Sequence, residues 1–169
     1  MNTSYCEKHP YHIPRLYVEG VESTEYLMLT NEMEAKVVRE CSKEQHCFGK
    51  IIYGSAIDFI DLVEKRVKKG FVVLLPPGYD KGVFVPKDAP IEPIPVEGIR
   101  ASIEVCEGEK LKKWDTIGFV LTGKHEMRRI KTHVEGIVVY IYSAPEGTYE
   151  KNIVFVSPRE VVKYIRVRR

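Results

Sequence analysis

Apolar and polar residues alternate in short runs along this chain, and the period of the runs changes from place to place. Residues 16–18 and 26–29 have the length and composition of two antiparallel strands around a polar turn. Across residues 56–69, apolar side chains recur at spacings of three and four, which predicts a helix that ends at Gly70. Residues 71–75 are continuously apolar and predict a strand buried on both faces.

The second half has a different pattern. Four prolines between residues 81 and 95 predict an extended linker, because proline cannot donate a ladder hydrogen bond. Short apolar runs separated by glycine and charged turns follow, as is typical of a small β-barrel or sandwich. For residues 161–167 a short helix and a closing strand both remain open. We therefore predict an α+β domain over residues 1–88, with a helix at 56–69, and an all-β barrel domain over residues 89–169.

Composition and charge narrow the class of protein. The 169 residues are 44% hydrophobic and 30% charged, which is typical of a soluble globular chain, and the formal net charge is only +2. That balance gives no overall attraction to nucleic acid or acidic membranes, so a basic site must be local. The longest apolar run is far too short to cross a bilayer, and the polar start does not resemble a signal peptide. We expect a cytoplasmic protein.

Four cysteines in a chain without an export signal are expected to be reduced thiols, with disulfides the least favoured use. Thiolate and imidazole groups are ligands that tetrahedral zinc prefers, so one candidate metal site combines Cys6, His9, Cys41 and Cys47. The alternative is ordinary burial of the cysteines, because cysteine is among the most buried residue types without any metal.

The sequence from Val105 to Val156 carries spaced motifs around one lysine. They are Val105, Gly108 and Leu111, then Trp114-Asp115, and finally the stretch His133-Val134-Glu135-Gly136-Ile137-Val138. This pattern resembles a biotinyl/lipoyl domain. The resemblance implies a flattened all-β barrel of the barrel-sandwich hybrid type, with biotin or lipoate attached at Lys124. The hairpin tip would be Thr122, Gly123, Lys124 and His125, with Gly123 supplying a positive φ.

The neighbours of Lys124 change what we expect of it. Biotin carriers of that family show Met-Lys-Met and lipoyl carriers show Asp-Lys-Ala, whereas Gly123 and His125 flank the lysine here. Modifying ligases read those neighbours. We therefore predict a non-catalytic binding or assembly module built on an unmodified barrel, with the biotin or lipoate carrier as the alternative.

Other candidate sites are less specific. Lys124, Arg128, Arg129 and Lys131 could form a basic edge that contacts phosphates, but we find no aromatic residues interleaved with them, so nucleic acid is not the expected partner. His125 and His133 could face each other across the hairpin. The chain has no nucleophile elbow and no phosphate loop, and we do not predict an enzyme.

The chain as a whole resembles an uncharacterised archaeal family found in methanogens, domain of unknown function 2118, which joins an N-terminal α+β region to this barrel type. The resemblance implies a fold and no activity. For partners, we expect another protein or self-association, and no membrane. A zinc-binding or nucleic-acid-binding module is the second alternative function.

Overall fold

The structure is a computed structural model that describes residues 13–31, 33–42 and 46–168. The chain divides into two compact units. The first contains Tyr11–Pro90 and Glu160–Arg169, and the second contains Ile91–Arg159. We predicted a domain boundary between residues 88 and 89. In the structure the boundary lies between residues 90 and 91, and the last ten residues of the chain belong to the first unit.

Nearly all regular structure in the described residues is β. The strands of the first unit are β1 (Arg15–Glu19), β2 (Tyr26–Asn31), β3 (Glu34–Val38), β4 (Cys47–Ile51), β5 (Ile60–Asp61), β6 (Arg66–Val67), β7 (Phe71–Leu74), β8 (Lys81–Val85) and, at the end of the chain, β16 (Lys163–Arg168). The strands of the second unit are β9 (Glu92–Gly98), β10 (Arg100–Ile103), β11 (Lys110–Leu111), β12 (Thr116–Leu121), β13 (Met127–Lys131), β14 (Gly136–Glu146) and β15 (Tyr149–Ser157).

The first unit is a closed barrel. Seven strands follow one another around it in the order β1, β4, β2, β3, β16, β8 and β7, and β7 pairs back onto β1. All neighbours are antiparallel except β16 and β3, which run parallel. The interior is filled by apolar and aromatic side chains, including Tyr17, Phe48 and Leu74. Closure pairs each of the seven barrel strands on both edges, and the short pair β5 and β6 forms a separate two-stranded sheet.

The predicted helix at residues 56–69 is wrong. A 3-10 helix, Tyr53–Phe59, is followed by the short pair β5 and β6. The Asp61 carboxylate accepts hydrogen bonds from the backbone N–H groups of Val63 and Glu64, both at 3.0 Å, and so stabilises a turn where the helix would continue. Val63, which the helical spacing would bury, is 89% exposed.

The other predictions for this unit have mixed outcomes. The buried strand at 71–75 is confirmed, because all four residues of β7 are buried. The strands at 16–18 and 26–29 exist as β1 and β2, but β4 lies between them, so they do not pair. The predicted linker contains β8, a full barrel strand. Residues 163–168 form a closing strand, because β16 completes the barrel between β3 and β8.

The second unit consists of two sheets. One has three strands in the order β10, β12, β13, and the other has four in the order β11, β14, β15, β9. A separate core of buried aliphatic side chains, including Val96, Ile117 and Val154, belongs to this unit. The predicted fold class, an α+β region followed by an all-β barrel, is therefore wrong: the chain is mostly β, and the closed barrel lies in the first unit.

No helix within the described residues is both long enough and apolar enough to span a bilayer.

Candidate functional site

Lys124 lies on the loop between β12 and β13. The His125 N–H donates to the Thr122 carbonyl oxygen at 2.9 Å, which closes a tight turn with Gly123 and Lys124 at its centre. The Thr122 N–H donates to the Glu126 carbonyl oxygen, and the Thr122 hydroxyl accepts from the Glu126 N–H at 3.2 Å. These bonds fix the base of the loop, and Lys124 is exposed at its tip.

The residue with positive φ in this loop is His125, not Gly123. His125 has φ of 61°, whereas Gly123 is absent from the positive-φ positions of the described chain. A tight turn followed by a left-handed residue is the usual build of a loop of this length between two strands. The predicted role of Gly123 is therefore wrong, although an added methyl group there would meet no atom within 4 Å.

The three-stranded sheet has one face turned away from the core of its unit. Val120 and Ile130 pack in that core, and strand alternation places the residues beside them on the opposite face. Register aligns Arg100 with Leu121 and Leu121 with Met127, and aligns Ser102 with Phe119 and Phe119 with Arg129. We call this surface the outer face; its residues are Arg100, Ser102, Phe119, Leu121, Met127, Arg129 and Lys131.

The outer face combines an apolar centre with basic side chains. Met127 is 72% exposed, and Phe119 and Leu121 are half-buried. The Arg129 guanidinium lies 5.7 Å from the centre of the Phe119 ring, within range of a cation–π interaction. An aromatic residue therefore does lie beside the basic edge, contrary to the sequence analysis. Strand register brings the two residues together: Phe119 and Arg129 are ten positions apart in sequence and directly opposite each other in the sheet.

β13 carries this face at a sheet edge. It pairs with β12 on one side, and no other strand in the described part of the chain pairs with its second side. Of the other predicted basic residues, Arg128 contacts Glu126 at 3.4 Å, and Lys124 lies on the loop before β13. The structure thus separates the predicted basic edge into an outer face and unrelated positions.

The two histidines predicted to face each other do not pair. The His133 Nε2 atom lies 3.1 Å from a carboxylate oxygen of Glu92, and both side chains retain access to solvent. His125 is exposed on the loop. An imidazole beside a carboxylate can take up or release a proton.

The predicted zinc ligands are not available as a set. Cys41 and Cys47 form a disulfide, so their thiolates cannot bind metal, and the expectation of reduced thiols is wrong for this pair. Cys6 and His9 lie outside the described residues. No group of three or more histidine, cysteine, aspartate or glutamate side chains is arranged to hold a metal ion within the residues that the structure describes. Chain proximity explains the disulfide: Cys41 follows β3, and Cys47, six positions later, is the first residue of β4.

Glu109 and Glu25, neither of which is a residue of the outer face, have carboxyl groups with shifted pKa values. Burial raises the pKa of Glu109, against a hydrogen bond from the Cys106 N–H to its carboxylate at 3.1 Å. In the barrel, the Tyr17 hydroxyl donates to Glu25 at 2.6 Å and lowers the pKa of that carboxyl group. Burial in turn raises the pKa of Tyr17. These groups are structural partners within their own units, and the outer face carries arginine and lysine side chains.

Comparison with known proteins decides the family. The sequence pattern of a family described as an uncharacterized protein conserved in archaea, DUF2118, matches residues 11–159. The chain belongs to the DUF2118 family. A relative, "Uncharacterized protein MJ0859" of Methanocaldococcus jannaschii, is 26% identical over 157 residues, which cover 90% of this chain and 95% of the relative.

The predicted membership of DUF2118 is thus confirmed. The match runs through both units, from the start of the barrel to the turn before β16, so the barrel and the two-sheet unit are both part of what defines the family. Neither description assigns an activity to the family or to the relative. For this DUF2118 chain, function must be argued from its surfaces.

Proposed function

We propose that this chain is a non-catalytic binding module that holds an acidic, extended segment of a partner protein along β13. The observation that carries the proposal is the exposure of Met127, 72%, on a sheet face that also bears Arg100, Arg129 and Lys131. Exposed apolar side chains rimmed by charge are typical of protein interaction sites.

The edge position of β13 suggests how the partner binds. An extended segment can add to a free sheet edge through main-chain hydrogen bonds, and alternate side chains of the segment then reach one face of the sheet. Apolar side chains of the partner would contact Met127 and Leu121. Acidic side chains would lie beside Arg129 and Lys131, which are exposed.

Charge favours an acidic partner over a second copy of this chain. Two β13 strands placed edge to edge would bring Arg128, Arg129 and Lys131 of each copy close together, and like charges facing each other across strands are destabilising. The same charges attract an acidic segment and raise its association rate at low salt. The basic edge thus discourages self-pairing and selects its partner by sign.

A fluorescent peptide of alternating glutamate and leucine tests the proposal by anisotropy, with a lysine-leucine peptide as the charge control. We expect saturable binding of the acidic peptide alone, and Arg129→Glu should weaken it about tenfold or more. Lys112→Glu, an equal charge change at an exposed turn off the outer face, should alter affinity by less than about twofold.

Three outcomes would contradict the proposal. The acidic peptide fails to bind, Lys112→Glu weakens it as much as Arg129→Glu does, or a single-stranded oligonucleotide binds far more tightly with steep salt dependence, which would indicate a nucleic-acid module. A concentration-dependent dimer seen by light scattering and abolished by Met127→Ser would instead indicate self-association through this face.

The carrier function is the second candidate, and the exposed position of Lys124 favours it. A carrier lysine must project from a rigid turn so that a ligase can reach the amine, and the loop bonds at Thr122 provide that rigidity. Trp114 stands where biotinyl/lipoyl domains have glycine, and it adopts the positive φ of 75° that glycine adopts easily. Gly123 and His125 beside the lysine remain the departure from that family.

Intact mass of the protein isolated from its source organism tests the carrier function. An increment the size of a biotinyl or lipoyl group, lost in Lys124→Ala and kept in Lys131→Ala, would establish a carrier. An unmodified mass would reject it and leave the binding module as the function.

A further inference from the structure

The barrel carries a groove that is separate from the outer face. It lies between the β2–β3 turn, the end of β7 and the strands β8 and β16, and its volume is about 500 Å³. All of its lining residues belong to the barrel unit. The side chains that line it include Met33, Glu34, Leu75, Lys81, Tyr164 and Arg166.

The register places two cations directly opposite each other in this groove. Arg166 of β16 is the cross-strand partner of Lys81 of β8. Its partner on the other side is Glu34 of β3, but the Glu34 carboxylate forms an ion pair with Arg168 at 2.9 Å. Neither Arg166 nor Lys81 forms an ion pair with another residue that the structure describes. Like charges directly opposite across strands are destabilising, and an anion between them removes the repulsion.

The walls of the groove are apolar. Tyr164 is 38% exposed and Met33 is 64% exposed, and Leu75 lies beside them. A volume of about 500 Å³ is within the range of small-molecule sites, which join mostly apolar walls to a few fixed polar groups. An aromatic wall can stack on a flat ring, and an arginine beside a lysine is suited to a phosphate group that carries close to two negative charges.

We propose that this groove binds a phosphorylated small molecule with a flat apolar part, of the nucleoside monophosphate class. The phosphate lies between Arg166 and Lys81, and the ring lies against Tyr164 and Met33. Glu34 also lines the groove, and its carboxylate is paired with Arg168. This site goes beyond the proposed docking of a protein segment, because it lies in the other unit and uses none of the outer-face residues.

Calorimetric titration with adenosine monophosphate, inorganic phosphate and adenosine tests the site in the full chain. We expect saturable binding of adenosine monophosphate, tighter than either of its parts. Arg166→Gln should weaken that binding about tenfold or more, since it removes charge-assisted hydrogen bonds. Lys36→Gln, an exposed cation on the neighbouring strand outside the groove, should leave affinity within about twofold.

Glu34→Gln should change the affinity for adenosine monophosphate in the opposite direction. Removing that carboxylate leaves more net positive charge at the groove, so adenosine monophosphate should bind more tightly. Arg166 is exposed, so Arg166→Gln should leave the thermal transition of the protein unchanged. If Arg166→Gln lowers that transition, Lys81→Gln tests the phosphate contact in its place. The proposal is overturned if adenosine monophosphate gives no saturable heat at millimolar concentration, if phosphate alone binds as tightly, or if Lys36→Gln weakens binding equally.

Discussion

The barrel and the two-sheet unit differ in how the edges of their strands are paired. Seven strands of the barrel close on themselves, so every backbone edge is paired. The two-sheet unit leaves β10 and β13 at the edges of an open three-stranded sheet. A closed barrel has no unpaired strand edge to which an extended segment could add, whereas an open sheet can also bind through its backbone.

The two edges of the open sheet are treated differently. At β10, the Glu150 carboxylate accepts a hydrogen bond from the Ala101 N–H at 2.7 Å, so a side chain occupies a donor that a further strand would use. At β13, the described contacts include no such cap, and cations line the strand. A side chain caps the edge of β10, whereas the edge of β13 carries cations, which is why we propose the partner site at β13.

The largest expected effect concerns the barrel core. Phe48→Ala should lower the free energy of unfolding by about 3 to 5 kcal/mol, because Phe48 is fully buried and packs at 5.5 Å from the Phe84 ring. Urea unfolding followed by circular dichroism measures it. Phe119→Ala is the matched control in the open sheet, and it should cost far less because Phe119 points away from its core. Equal losses would mean that Phe119 is a core residue and that the outer face is misassigned.

Substitution of one glycine in each unit tests how easily the barrel and the two-sheet unit adjust to an added methyl group. A methyl group added at Gly82 of the barrel would lie 2.5 Å from the Val73 carbonyl oxygen, and one added at Gly118 would lie 2.5 Å from the Ser102 carbonyl oxygen. Overpacking of this kind costs about 1 to 3 kcal/mol. Gly118 lies on β12, which is also paired on both sides, but only β8 belongs to a closed barrel. We expect Gly82→Ala to cost more, because a strand in a closed barrel has less room to shift.

Thermal unfolding of both variants gives the comparison, with Gly123→Ala as the control at an open position. If Gly118→Ala is the more damaging, closure is not what limits adjustment.

A smaller effect is expected at the capped edge of β10. Glu150→Ala should lower the free energy of unfolding by about 1 to 2 kcal/mol, because the Ala101 N–H loses a charged acceptor. It should also increase association at high concentration, since the edge of β10 becomes available. Light scattering and urea unfolding measure the two effects. Glu104→Ala, which removes a contact to the Ser102 hydroxyl and no backbone cap, should not promote association.

The smallest effect is a difference in pH dependence between the units. Because the pKa of Glu25 is lowered, its contribution is fully present above its unfolded pKa and is lost as pH falls through its folded pKa. Because the pKa of Glu109 is raised, its contribution is present below its unfolded pKa and is lost as pH rises through its folded pKa. The contributions of Glu25 and Glu109 to stability therefore change in opposite directions with pH.

Urea unfolding at a series of pH values separates them. Tyr17→Phe should reduce the loss of stability on the acid side, because it removes the hydrogen bond that lowers the pKa of Glu25. Glu109→Gln should reduce the loss as pH rises. Each change should be below about 1 kcal/mol, since solvent screens partly exposed groups. Parallel pH profiles for the wild type and both variants would contradict the assignment.

Local patterns predicted some elements well and others badly. The continuous apolar run at β7 could be assigned because a strand buried on both faces has few alternatives of that length. The helix at 56–69 was wrong because its period came from side chains, such as Val63, that are exposed in a turn. Spacing alone does not show whether a side chain is buried.

The candidate site shows the same division. The lysine loop and its flanking strands could be predicted from glycine and strand signals close together in sequence, and Lys124 is exposed at the tip. The disulfide between Cys41 and Cys47 was not predicted, because cysteines in a chain without an export signal are expected to be reduced and a separation of six residues does not show that two thiols meet.

By itself the sequence determined the family, the strand-rich second half, the buried run at β7 and the position of the lysine loop, because each depends on residues near one another in the chain. Only the tertiary structure decided that β16 closes the barrel, that Phe119 lies opposite Arg129, and that Arg166 lies opposite Lys81. Those neighbours are set by strand register, which depends on which faces find a core and on contacts between distant segments.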